Sequence, residues 1–185
     1  MKYAHKIDLS DDLKSAISIG AKVATYGGMF DLYKTVNREK ILSYFPEAIK
    51  NKKIRFYVVN IDFNKGPQKI KVHKHLKEKC VLNIYLQTNG EETTFYEGEE
   101  VYLAPEEEDE SSGSTRMFQN LVLGKLHKVE SFVAKTNESW LLKTGQPHSV
   151  TYSKKTGVRK MLQIYFLEDE YDEIVELFEV NYDSN

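Results

Sequence analysis

Between residues 54 and 166 the chain passes through one short β-type segment after another, rich in β-branched and aromatic residues, with no helical stripe between them. That succession is the strongest constraint on what the chain can fold into. Strands that follow one another without intervening helices point to antiparallel sheets closed into a sandwich or a barrel. Strands are expected over 54–61, 70–75, 80–87, 93–96, 121–132, 140–143, 149–152 and 159–166, with Gly66-Pro67 marking the turn before the second. In 80–87, Cys80, Leu82, Ile84 and Leu86 share one face, and Val81, Asn83, Tyr85 and Gln87 the other. In 159–166, Leu162, Ile164 and Phe166 form the apolar face, and Arg159, Met161, Gln163 and Tyr165 lie opposite.

Helices are expected on either side of this core. Ser10 or Asp11 can cap one that carries Leu13, Ile17, Ala21 and Ala24. Asn37 can cap a second with Ile41, Tyr44, Phe45 and Ala48, interrupted or restarted at Pro46. Tyr171, Ile174, Val175 and Phe178 follow a helical stripe near the end of the chain. The 185 residues thus divide as one domain, with N-terminal helices over 1–53, a β core over 54–167 and a closing helix over 168–185. Within the core, 106–115 has no apolar residue and five consecutive acids, and is expected as a mobile surface insertion.

A formal charge of -2 gives no electrostatic argument for nucleic acid or an anionic membrane. The one cysteine, Cys80, cannot staple the fold and reads as a small buried hydrophobe. With no leader-like start and no apolar run of spanning length, a soluble cytoplasmic protein is expected. Its partner would be a small-molecule or peptide substrate, and a homodimer is allowed.

The chemistry concentrates in His73-Lys74-His75 and in the distal His148. Histidines one residue apart on a strand point to one face, so a third on a neighbouring strand could complete half of a metal's coordination sphere and leave open positions for substrate or dioxygen. His73, His75 and His148 are therefore the expected ligands of a divalent ion, iron(II), nickel or zinc. Beyond these ligands the sequence offers no catalytic residue: it has no glycine-rich phosphate loop, no Ser-His-Asp spacing and no Cys-x-x-Cys pair. His5 and His127 read as surface or satisfied core residues. Arg159 could grip a carboxylate in the same pocket. Lys65, Lys69, Lys71, Lys74, Lys77 and Lys79 crowd the approach and favour an anionic substrate, with Lys71 the best placed to reach the site.

Five stretches, in order, resemble the prolyl-hydroxylase-like iron(II)- and 2-oxoglutarate-dependent dioxygenases: His73-Lys74-His75, Tyr85-Leu86-Gln87, Gly90-Glu91-Glu92-Thr93-Thr94-Phe95, Pro147-His148-Ser149-Val150 and Gly157-Val158-Arg159. The resemblance implies a double-stranded β-helix, a jelly-roll barrel. It implies iron held by His73 and His148, with 2-oxoglutarate bound by Arg159 and lying beside Tyr85, while Asn83 shares the barrel-lining face. The implied activity is an oxidoreductase that hydroxylates a substrate the sequence does not name.

His75 stands where that family has its aspartate ligand. Three neutral imidazoles leave the metal one unit more positive, which preserves binding but bears on ordinary hydroxylation. His-x-His also resembles the cupins, which share the barrel. Their pattern continues with a glutamate, and Glu78 follows His75 at an odd offset that a continuous strand would turn to the other face. The alternatives are thus a three-histidine cupin, either a dioxygenase without 2-oxoglutarate or a non-catalytic binding module.

Overall fold

The computed structural model describes residues 1–26, 30–35, 37–65, 69–104, 121–152 and 157–182. Among these described residues, eleven strands and four helices follow in chain order: β1 (Ala4–Ile7), α1 (Asp11–Ala16), β2 (Ile19–Tyr26), β3 (Phe30–Thr35), α2 (Arg38–Ser43), α3 (Glu47–Lys50), β4 (Ile54–Asp62), β5 (Lys69–His73), β6 (Cys80–Gln87), β7 (Glu92–Leu103), β8 (Val122–Val133), β9 (Ser139–Leu142), β10 (His148–Thr151), β11 (Val158–Phe166) and α4 (Tyr171–Tyr182). They form a seven-stranded sheet of order β1-β9-β6-β11-β4-β3-β2 and a four-stranded sheet of order β5-β10-β7-β8.

Strands β4 to β11 define the architecture. In the larger sheet β4 pairs with β11, β11 with β6 and β6 with β9; in the smaller, β5 pairs with β10, β10 with β7 and β7 with β8, all antiparallel. The first of the eight lies beside the last and the second beside the seventh, which is the jelly roll, or double-stranded β-helix. The strand succession called for antiparallel sheets in a sandwich or barrel, and the jelly roll is the form that the resemblance to the dioxygenases implied.

Period-2 alternation decides what each face of the larger sheet meets. Leu82, Ile84, Leu162, Ile164 and Phe166 face outward and form one apolar cluster with Leu13, Ile41, Ile49, Ile174 and Phe178 from the four helices. On the other face Val59, Ile61, Tyr85 and Met161 meet Phe95, Phe132 and Val150 of the smaller sheet. Ser10 caps α1 as expected, its Oγ accepting from the Leu13 amide at 3.2 Å. Pro46 stops α2 and restarts the chain as α3.

The N-terminal region departs from the expected helices over 1–53. The stripe Leu13, Ile17, Ala21, Ala24 is not one helix: α1 ends at Ala16, and residues 19–26 are strand β2, which pairs only with β3. Gly20 and the β-branched Ile19, Val23 and Thr25 favour an extended chain, and the edge of the sheet supplies its hydrogen bonds. Residues 4–7 likewise extend the sheet beside β9. Asn37 does not cap α2 through its side chain; its Nδ2 donates to Ser18 Oγ at 3.2 Å. The strand expected over 93–96 runs from 92 to 103, because β8 pairs with it for its full length. The acidic insertion at 106–115 and the Gly66-Pro67 turn lie outside the described residues. Among the described residues no helix is long and apolar enough to cross a membrane.

Candidate metal centre

His73 closes β5 and His148 opens β10, and the two are register partners across the sheet. Their ring centroids are 4.3 Å apart. His75 lies two residues past the end of β5, so no strand geometry aims it. Its amide donates to the Thr144 carbonyl at 2.8 Å, which holds that segment against the loop leading into β10. Thr144 Oγ1 donates to the Glu78 carbonyl at 2.7 Å and tightens the same contact. The His75 ring stands 5.7 Å from His73 and 5.5 Å from His148. One ligating nitrogen from each of the three histidines falls within 4.8 Å of the others.

The hydrogen bonds fix the tautomers of two rings. His73 Nδ1 is 2.9 Å from the Lys71 carbonyl and His148 Nδ1 is 2.8 Å from the Gln146 carbonyl. A carbonyl only accepts, so each Nδ1 carries the proton and each Nε2 keeps its lone pair. A carbonyl behind the ring is the usual way a metal-binding histidine is oriented. Burial keeps all three neutral. It pushes His73 down to about 4 against the opposing Lys71 carbonyl. Burial and then the neighbouring His73 push His75 down to about 3. His148 falls well below the usual imidazole range through burial, followed by its two neighbours. Three neutral donors in a buried cluster fit a divalent transition metal.

The cluster opens on a cavity of about 480 Å³ inside the barrel, which Arg159, Asn83 and Glu78 also line. Arg159 is 2 % exposed. Its Nη2 donates to the Tyr85 hydroxyl at 3.0 Å, and its Nε lies 3.1 Å from Glu91 Oε1, a contact ion pair whose angle is not that of a hydrogen bond. Burial opposes the guanidinium's charge, but Tyr85 and Glu91 outweigh it and raise the pKa. Tyr85 itself is fully buried beneath Arg159 and outside the cavity lining.

From Tyr85 a polar row crosses the inner face of the larger sheet. Asn83 Nδ2 approaches the Tyr85 hydroxyl at 3.4 Å, Gln163 Nε2 donates to Asn83 Oδ1 at 2.9 Å, and the Tyr165 hydroxyl donates to Gln163 Oε1 at 2.6 Å. The Tyr165 ring lies parallel to His75 at 6.4 Å. The three histidines therefore look onto a row of amides and phenols.

The structure brings His73, His75, His148, Asn83 and Arg159 to one cavity. Lys71 contributes its carbonyl and points its side chain to solvent, so it is not the lysine nearest the site; Lys74 and Lys77 line the cavity instead. Glu78 lines it too, since β5 has ended and strand parity no longer applies, yet it lies outside the three-histidine cluster. Sequence reasoning missed Glu91 as the partner of Arg159, and the one signal for it was its place in the Gly90-Glu91-Glu92-Thr93 turn.

No family model matches the chain, and no curated protein matches it. Solved structures similar to it include the SENS161-164DSSN mutant of Bacillus subtilis oxalate decarboxylase, at 11% identity and a TM-score of 0.38 over 80% of this chain and 28% of that one. Another is the cupin domain of Drosophila melanogaster CENP-C, at 12% identity and a TM-score of 0.40 over 85% of each chain. The chain spans only about 28% of the decarboxylase's length. The protein is a jelly roll with a three-histidine cluster, two of its rings buried and that of His75 half-buried, and that assignment stands on its own strand pairing and side chains.

Proposed function

We propose that this protein is a cupin-type metalloprotein that holds one divalent transition metal through His73, His75 and His148 and binds a small substrate in the cavity beside it. One observation carries the reading. Carbonyls behind His73 and His148 place the proton of each ring on Nδ1 and the lone pair on Nε2, and one ligating nitrogen from each of the three histidines lies within 4.8 Å of the others. When bound, the metal would supply Lewis acidity and open positions for substrate or dioxygen. The chain's own part is to keep three imidazoles neutral, orient them from behind and enclose the substrate.

The second reading is the iron(II)- and 2-oxoglutarate-dependent dioxygenase, favoured by the presence of Arg159 in the same cavity as the histidines. It stands second because Glu91 already neutralises that guanidinium, so the far carboxylate of 2-oxoglutarate would have to compete with a fixed internal anion. The metal ligands also lack the carboxylate.

Metal analysis tests the first reading. Wild type should bind about one equivalent of zinc, nickel or iron(II), and His148→Ala should lose most of it, because two imidazoles leave the site incomplete. Equal metal in both proteins overturns the site. Metal-dependent binding of 2-oxoglutarate that Arg159→Leu weakens by about 1.5–3 kcal/mol would move the second reading to first place.

A further inference from the structure

The cavity separates charge from polarity. Its cations gather around residues 55 and 74–77: Lys74 and Lys77 line it, and neither has an ion-pair partner among the described residues. Arg55 is there too, half satisfied by Glu78 at 4.0 Å, and Glu78 is the only acid among the described residues of the lining. Arg159, by contrast, is 2 % exposed and has its counter-ion in Glu91. An incoming anion therefore finds free positive charge at Lys74 and Lys77 and a neutralised pair at Arg159.

Between these regions runs the row Asn83, Gln163 and Tyr165. Asn83 is 3 % exposed inside a barrel otherwise packed with Val59, Ile61, Met161 and Val150. Polar side chains in that setting cost stability unless something uses them. The row is strung in one direction, Tyr165 to Gln163 to Asn83 to Tyr85, so each amide still has a donor hydrogen or an acceptor lone pair to spare. Such a surface matches hydroxyl groups, which both donate and accept.

From these two observations we infer that the substrate is a small hydroxylated organic anion, its charge held by Lys74 and Lys77 and its hydroxyl-bearing body laid along Asn83, Gln163 and Tyr165. This rests on the reading of the cavity as a substrate site beside a metal.

Calorimetric titration with three probes tests it: gluconate, which has both charge and hydroxyls; sorbitol, which has the hydroxyls alone; and acetate, which has the charge alone. Gluconate should bind about tenfold or more tighter than either. The doubly substituted Lys74→Gln, Lys77→Gln protein, altered at side chains open to solvent, should bring gluconate down to the level of sorbitol, and Gln163→Leu should weaken gluconate and sorbitol together. Gluconate binding no tighter than sorbitol, or undiminished in the lysine variant, overturns the inference. Each titration is run with zinc-loaded and with chelator-treated protein. Failure to bind zinc removes the metal reading, while the selectivity in the chelator-treated protein still decides the substrate class.

Discussion

The two faces of the seven-stranded sheet are made by the same strands, one residue out of phase, and they do different work. Outward, β6 and β11 present Cys80, Leu82, Ile84, Leu162, Ile164 and Phe166 to the helices in one apolar cluster, with Lys160 at the end of that face. Inward, the alternate positions present Asn83, Tyr85, Arg159, Gln163 and Tyr165. The outer face is a packing surface whose contacts stabilise the fold. The inner face spends stability on hydrogen-bonded polar groups, and it looks onto the three histidines. A core that could have been apolar throughout and is not carries a stability cost on its inner side, and the proposed site lies on that side.

Acid should separate the two faces by the largest margin. The buried imidazoles of His73 and His75 titrate at about 4 and about 3, against about 6.5 in the unfolded chain. Below pH 6.5 the unfolded state therefore binds more protons, so stability is full above that pH and is lost as pH falls toward 4. The loss is about 1.4 kcal/mol per pH unit for each histidine. The outer face contributes nothing there, since burial pushes the Cys80 thiol upward. Melting temperatures of chelator-treated protein between pH 7.5 and 4.5 should show this slope, and His73→Asn with His75→Asn should cut it to the part that His148 contributes. An unchanged slope would place the acid sensitivity elsewhere.

On the outer face, Phe166→Ala should cost about 3–5 kcal/mol in denaturant unfolding through cavity formation, with metal content per folded molecule unchanged. Loss of metal in proportion to stability would mean that the faces are not independent. On the inner face, Glu91→Gln should cost about 3 kcal/mol by stranding the charge of Arg159, and adding Arg159→Met should recover most of it. A double variant no more stable than the single one would show that the pair is not an isolated electrostatic unit. The smallest effect belongs to the cap of α1: Ser10→Ala should cost about 1 kcal/mol and leave zinc content alone.

The strands of the core were legible in the sequence because alternation is local, while their jelly-roll order came only from the family resemblance. Faces 80–87 and 159–166 could be assigned from period 2 alone, and the closing helix from its 3.6-residue stripe, since each pattern records what lies on either side of a single element. The histidines were legible as residue types in a suggestive spacing, but alternation was not the reason: β5 ends at His73, so His75 joins the cluster through its loop and not through a shared strand face. The N-terminal strands were not. Residues 19–26 carry a spurious helical stripe, and only the free edge of β3 makes them a strand.

What the sequence determined by itself is thus the rough extent of the core strands, the faces of β6 and β11 and the residue types available for a metal. The tertiary structure decided which of them meet. Thr144 holds His75 in place after β5 has ended, carbonyls from Lys71 and Gln146 choose the tautomers of His73 and His148, and Glu91, at the start of β7, neutralises Arg159 on β11. None of these contacts has a sequence period, because each joins residues of different elements brought together only by closing the barrel. A hydrogen-bond partner or a counter-ion is a property of the assembled fold, and so the charge of the cavity could be read only there.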